Sequence, residues 1–88
     1  SEEDLRLAPG KVAFRRVIVT RPEVLGRTMA ELALDTRCGV VVSRVTRADI
    51  EMTAVPGLRL QFGDMLQVVG EEDGLKSAEQ LMGNSVKE

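Results

Sequence analysis

The chain reads as an α+β domain of order β-α-β-β-β-α, with helices packed on a mainly antiparallel sheet. Three observations carry that reading. Short β-branched runs over 17–20 and 40–46 have the length and composition of strands. Two stretches, one after Thr28 and one after Gly74, repeat apolar residues at helical spacing. Between these segments Pro22, Pro56-Gly57, Gly63 and Gly70 punctuate the chain into pieces joined by turns.

The elements follow in order. Residues 1–11, charged at Ser1-Glu2-Glu3-Asp4 and broken by Pro9-Gly10, read as a mobile linker, and 12–88 as the domain. The absence of an initiator Met reads as a trimmed end of a longer chain. A strand is expected over 14–20, closed before Pro22. Thr28-Met29-Ala30-Glu31 then has the form of a capping box, in which the Thr28 hydroxyl accepts from the Glu31 amide and the Glu31 carboxylate accepts from the Thr28 amide. A short helix over 29–33 follows, with Met29, Leu32 and Ala33 inward and Arg27 and Glu31 in solvent.

After Gly39 a strand is expected over 40–47, with Ala48-Asp49 as a tight turn into a second strand over 50–53. Leu58, Leu60 and Phe62 alternate with Arg59 and Gln61 as in a half-buried edge segment. Gly63-Asp64 turns the chain into a last strand over 65–69, whose Leu66 and Val68 are expected in the core. A final amphipathic helix over 75–82 buries Leu75, Ala78, Leu81 and Met82, and Gly83 stands at its C-terminal cap. Met29, Met52, Met65 and Met82 all fall on positions expected to point inward.

Composition narrows the function. A chain of 88 residues holds one core and buries about 60–70% of the surface its unfolded form exposes, so self-association would help it. Its net charge of −2 and its two aromatic residues, Phe14 and Phe62, argue against a nucleic-acid partner or an anionic membrane surface. One cysteine, Cys38, and no apolar run of about 20 residues fit a reducing aqueous compartment, with a membrane-embedded parent left open. Cys38 itself reads as a small half-buried residue before a strand, not a redox sensor.

With no His and one Cys, nucleophile–base pairs and thiolate or imidazole zinc sites cannot be assembled, so no catalytic residue, metal or cofactor is assigned. Glu71-Glu72-Asp73 suits a helix N-terminus better than a cation site. Arg44, Arg47 and Arg59 offer guanidinium forks to a phosphate or carboxylate, against plain surface solvation.

Three spaced segments resemble the TrkA-C (RCK C-terminal) domain: Leu25-Gly26-Arg27-Thr28-Met29-Ala30-Glu31-Leu32, Val45-Thr46-Arg47, and the run from Leu60-Gln61-Phe62-Gly63-Asp64 to Gly70. The resemblance covers 12–83. Ser43-Arg44-Val45-Thr46-Arg47 and Leu81-Met82-Gly83-Asn84-Ser85 look closest to such domains in the aspartate:alanine exchanger and related transporters. It implies a regulatory, non-enzymatic domain on the cytoplasmic side of an inner-membrane protein, attached to transmembrane transporter helices and pairing as a homodimer. A small-molecule or nucleotide effector is implied in the dimer groove, with Val41, Val42 and Arg47 at the matching positions. The alternative is a ligand-free structural dimerisation module of the same transporter.

Overall fold

Alternation in the first strand sets the geometry of the whole sheet. In the computed structural model, which describes residues 10–85, β1 (Ala13–Val19) buries Val17 and Val19 and exposes Phe14 and Arg16. A single 3-10 turn (Pro22–Val24) leads to α1 (Met29–Leu32) and α2 (Leu34–Cys38). The hairpin β2 (Val41–Arg47) and β3 (Ile50–Met52) follows, then β4 (Met65–Gly70), α3 (Glu72–Met82) and β5 (Gly83–Ser85). The sheet order is β3-β2-β4-β1-β5, and every neighbouring pair is antiparallel. The expected α+β class and element order are therefore found, with two additions.

The first addition is α2. Ala33, in the left-handed region at φ 48°, closes α1 through its amide to the Met29 carbonyl, and its own carbonyl then accepts from Thr36 and Arg37. The break lets both Leu32 and Leu34 reach the core. Five residues hold too little periodicity to be read as a helix from sequence. The second addition is β5, which continues directly from the end of α3. Gly83 caps α3 as expected, its amide bonding the Glu79 carbonyl, and then pairs with Val19. A Cβ at that position would collide with the Ile18 carbonyl, so only glycine fits the close approach of the two backbones.

All three helices serve one face of the sheet. Val17, Val19, Val45, Leu66 and Val68 form a single core with Leu32, Leu34, Leu75, Ala78 and Met82. Arg15, on the same side, ties β1 to α3 through Glu79 at 2.7 Å and Glu72 at 3.0 Å. The acidic start of α3 thus holds a cross-element ion pair in addition to favouring the helix dipole. On the opposite face the register aligns Phe14 with Val69 and Val69 with Val41, and below them Arg16 with Gln67 and Gln67 with Arg44. A bulge between Val42 and Arg44 absorbs Ser43 and restores the alternation. No described residue on this face is buried.

Two expectations are corrected. Residues 58–62 form no regular strand: only Arg59 bridges to Thr28, Leu60 is buried, and Phe62 is 69% exposed. The amides of α1 supply the reason, since Met29 donates to the Leu58 carbonyl and Ala30 to that of Pro56, both at 2.9 Å, diverting this backbone from the sheet. Met65 points to the open face, because Leu66 and Val68 take the inward positions of β4. Of the expected linker, residues 1–9 lie outside the described residues, as do 86–88 of the domain.

Candidate functional site

Where β3 stops, a length of β2 is left without a neighbour. β3 pairs only with Val45, Thr46 and Arg47, so the outer edge of Val41 and Val42 is uncovered. The chain after β3 swings away through Ala54 and Pro56, and α1 and α2 rise on the far side. The space between is a cleft of about 550 Å³ lined by Met29, Ala30, Ala33, Leu34, Val40, Val41, Val42, Ala54 and Pro56, with Asp35 and Thr36 on its polar rim.

Local sequence explains each wall. The Thr28–Glu31 capping box forms as expected, with Glu31 N–H to Thr28 Oγ1 at 3.1 Å and Thr28 N–H to Glu31 Oε1 at 2.9 Å. These bonds, with the Arg27 and Arg59 guanidiniums nearby, hold the Glu31 carboxyl below its ordinary range. The cap starts α1 where Met29 and Ala30 face the 56–58 backbone. On the other wall, Val40, just before β2, is buried, and β2 presents Val41 62% exposed at the rim and Val42 half-buried. A mostly apolar cleft with a carboxylate and a hydroxyl at its rim can hold the flat or apolar part of a small molecule and orient its polar part. It contains no nucleophile–base pair.

Of the three residues expected at a ligand site, the fold brings Val41 and Val42 together and places Arg47 elsewhere. Arg47 sits six residues along β2, about 20 Å away at the usual strand rise. Its Nε and Nη2 donate to the two Asp64 carboxylate oxygens, each at 2.8 Å, and Nη2 also donates to the Arg59 carbonyl at 2.9 Å. Asp64 accepts a further bond from the Gln61 amide at 2.8 Å. Burial alone would push the Asp64 carboxyl up, but the Arg47 fork and the Gln61 amide hold it below its usual value.

The other two arginines singled out in the sequence, Arg44 and Arg59, are also engaged. Arg44 pairs with Glu51 at 3.0 Å on the open face, and Arg59 donates to the Gly26 carbonyl at 2.7 Å. At the end of α2, burial pushes the Cys38 thiol up against the lowering effect of Arg37, as suits an unreactive half-buried residue.

Sequence reasoning missed Met29, Ala30, Leu34, Ala54 and Pro56 as cleft residues. Met29 and Ala30 were legible only as helix, Pro56 only as a break, and Leu34 belongs to the helix that was not foreseen. Their meeting depends on contacts between segments more than 20 residues apart, which no local pattern encodes.

Comparison with known proteins places this geometry. The family model described as the TrkA-C domain matches residues 14–83. An uncharacterized transporter of Bacteroides fragilis is 41% identical over 84 residues, covering 96% of this chain and 15% of that protein. The chain thus spans about one-seventh of that relative's length. Among solved structures, the RCK C domain of the potassium transport protein KtrA in complex with cyclic diadenosine monophosphate superposes with a TM-score of 0.73. It is 16% identical, over 82% of this chain and 85% of that one. The RCK_C domain dimer of S. agalactiae BusR in complex with the same dinucleotide gives 0.70 at 21% identity, over 77% and 92%. At those identities the likeness speaks for the fold. The spaced motifs, the family match across nearly the whole described chain and the shared architecture agree: the protein belongs to the TrkA-C domain family.

Proposed function

We propose that this domain is the effector-sensing regulatory module of a bacterial membrane transporter, acting on the cytoplasmic side of the inner membrane, and that the cleft at the free edge of β2 is its ligand site. The observation that carries this reading is the cleft itself, a preformed apolar concavity beside an exposed strand edge. Val41 and Val42 contact the ligand. Arg47 acts at a distance, holding the 59–64 segment that supports the cleft wall.

Two further facts support the reading. A relative at 41% identity is a transporter, and two neighbours of the same fold were solved with cyclic di-AMP. No helix among the described residues is long and apolar enough to cross a membrane. In this role the effector biases a conformational equilibrium of the attached transporter by binding one state more tightly.

Thermal shift over cyclic dinucleotides, mononucleotides and amino acids tests the proposal. A ligand at a hundred times its Kd adds about 2.7 kcal/mol, which in a domain of this size raises Tm by about 10 °C or more. The shift should vanish in Val42→Glu. No shift with any of these classes up to millimolar concentration overturns the reading.

A further inference from the structure

The open face of the sheet sets an apolar row directly beside a cationic one. Phe14 on β1, Val69 on β4 and Val41 on β2 are Cα partners in register, and the next outward row is Arg16, Gln67 and Arg44. Phe14 is 57% and Val41 62% exposed, and Val12, two residues before Phe14, is 66% exposed. Large apolar residues exposed side by side mark a binding surface. Next to them the arginine row frames a depression of about 220 Å³, lined by Arg16, Arg44, Thr46, Glu51, Met65 and Gln67. We propose that this face binds a small amphipathic carboxylate, with its acid group in the depression and its apolar chain along the neighbouring row. The site lies outside the effector cleft and does not depend on it.

The acid group is specified by the donors. Arg16 and Arg44 stand on the two strands that flank β4, so their backbones lie about 10 Å apart, twice the spacing of neighbouring strands. Two side chains of that length reach toward each other across Gln67. Each guanidinium carries five N–H donors in a planar fork that matches a carboxylate, so it can serve one while keeping another partner. The Ser43 hydroxyl reaches the Gln67 main-chain carbonyl at 3.1 Å and its side-chain oxygen at 3.3 Å. With that oxygen on the Ser43 side, the Gln67 carboxamide offers its N–H groups as further donors.

Glu51 is the built-in competitor, accepting from Arg44 at 3.0 Å. At 52% and 63% side-chain exposure that pair is weak, and two arginines against one glutamate leave the lining net positive. An incoming carboxylate therefore meets a site that a free carboxylate side chain already visits.

The apolar part is specified by the strand. From Arg16 through Phe14 to Val12 is four residues, about 13 Å at the usual rise, with Val69 and Val41 alongside. A straight chain the length of octanoate covers that track. A bare anion leaves Phe14 and Val41 in water, and a neutral chain leaves the guanidinium forks unused.

Titration of the isotope-labelled chain with sodium octanoate to about 10 mM, followed by proton–nitrogen NMR, tests the assignment. Saturable shifts are expected at Phe14, Arg16, Arg44, Gln67 and Val69. Arg16→Gln, Arg44→Gln and, separately, Phe14→Ser should each weaken binding at least fivefold, and the same spectra show that each variant is folded. Phe62→Ser, which removes the other exposed aromatic, should leave it unchanged. Acetate, which lacks the chain, and octanol, which lacks the charge, should each bind at least tenfold more weakly than octanoate. The proposal is overturned by no saturable shift with octanoate, by acetate or octanol binding as tightly, or by folded arginine variants with unchanged affinity. Val42→Glu, the variant that tests the effector cleft, should not alter octanoate binding, so the two sites succeed or fail separately. Shifts confined to 40–42 and 54–56 and abolished by Val42→Glu would place octanoate in the cleft and reject this face.

Discussion

Arg47 and Asp64, 17 residues apart in the chain, meet as a two-pronged ion pair with both contacts at 2.8 Å, and the carboxylate is 1% exposed. The pair joins the end of β2 to the turn before β4. Through Arg47 to the Arg59 carbonyl and Asp64 to the Gln61 amide, it also fixes the irregular segment whose backbone receives the amides of α1.

Removing Arg47 should therefore be costly. Arg47→Ala leaves a buried carboxylate without its cation, a loss expected at about 3 kcal/mol in urea melts at pH 7. Asp64→Asn should cost less, because no unpaired charge is buried.

The same pair predicts an acid limb. Asp64 has a lower carboxyl pKa in the folded state than in the unfolded chain, so its contribution is fully present above the unfolded value of about 3.9 and is lost as pH falls through the folded value below it. Melts from pH 7 to pH 2 should show this loss in wild type and a shallower one in Asp64→Asn. Equal slopes would mean that other carboxylates control acid unfolding.

In β4, Leu66→Ala and Val68→Ala should each cost about 2–4 kcal/mol, since both side chains are fully buried where little can collapse around a gap. Met65→Ala, on the open face, should cost under about 1 kcal/mol. Denaturant melts that reversed this order would place the strand in the other register.

The β2–β3 turn places Ala48 and Asp49 at φ 49° and 66°, both in the left-handed region. A two-residue hairpin loop of that shape prefers Asn-Gly. The double variant Ala48→Asn, Asp49→Gly should gain about 1 kcal/mol, read as a higher denaturant midpoint with an unchanged slope.

Thr28→Ala removes the hydroxyl that accepts the Glu31 amide and should cost about 1 kcal/mol. Because α1 forms a cleft wall, the variant should also weaken effector binding more than its effect on stability at a distant site would. Thr28→Ser should restore both.

Local chemistry made much of this domain legible from its residues. The β-branched runs, the capping box at Thr28 and the Ala48-Asp49 turn each need only a few neighbouring residues to state their conformation, and all three formed as read. Leu66 and Val68 were expected in the core and are buried there. The edges between elements were harder. Whether 58–62 joins the sheet, whether Met65 faces in or out, and whether Leu34 begins a helix depend on which distant backbone groups compete for hydrogen bonds and which strand sits beside which. The site divided along the same line. Val41 and Val42 could be singled out by resemblance, but only the packed structure sent Arg47 to Asp64, because a buried carboxylate must take the nearest fork and sequence does not say where that fork lies. The cleft and the open face likewise arise from where β3 ends and from which side the helices cover, relationships set by long-range packing and not by any run of residues.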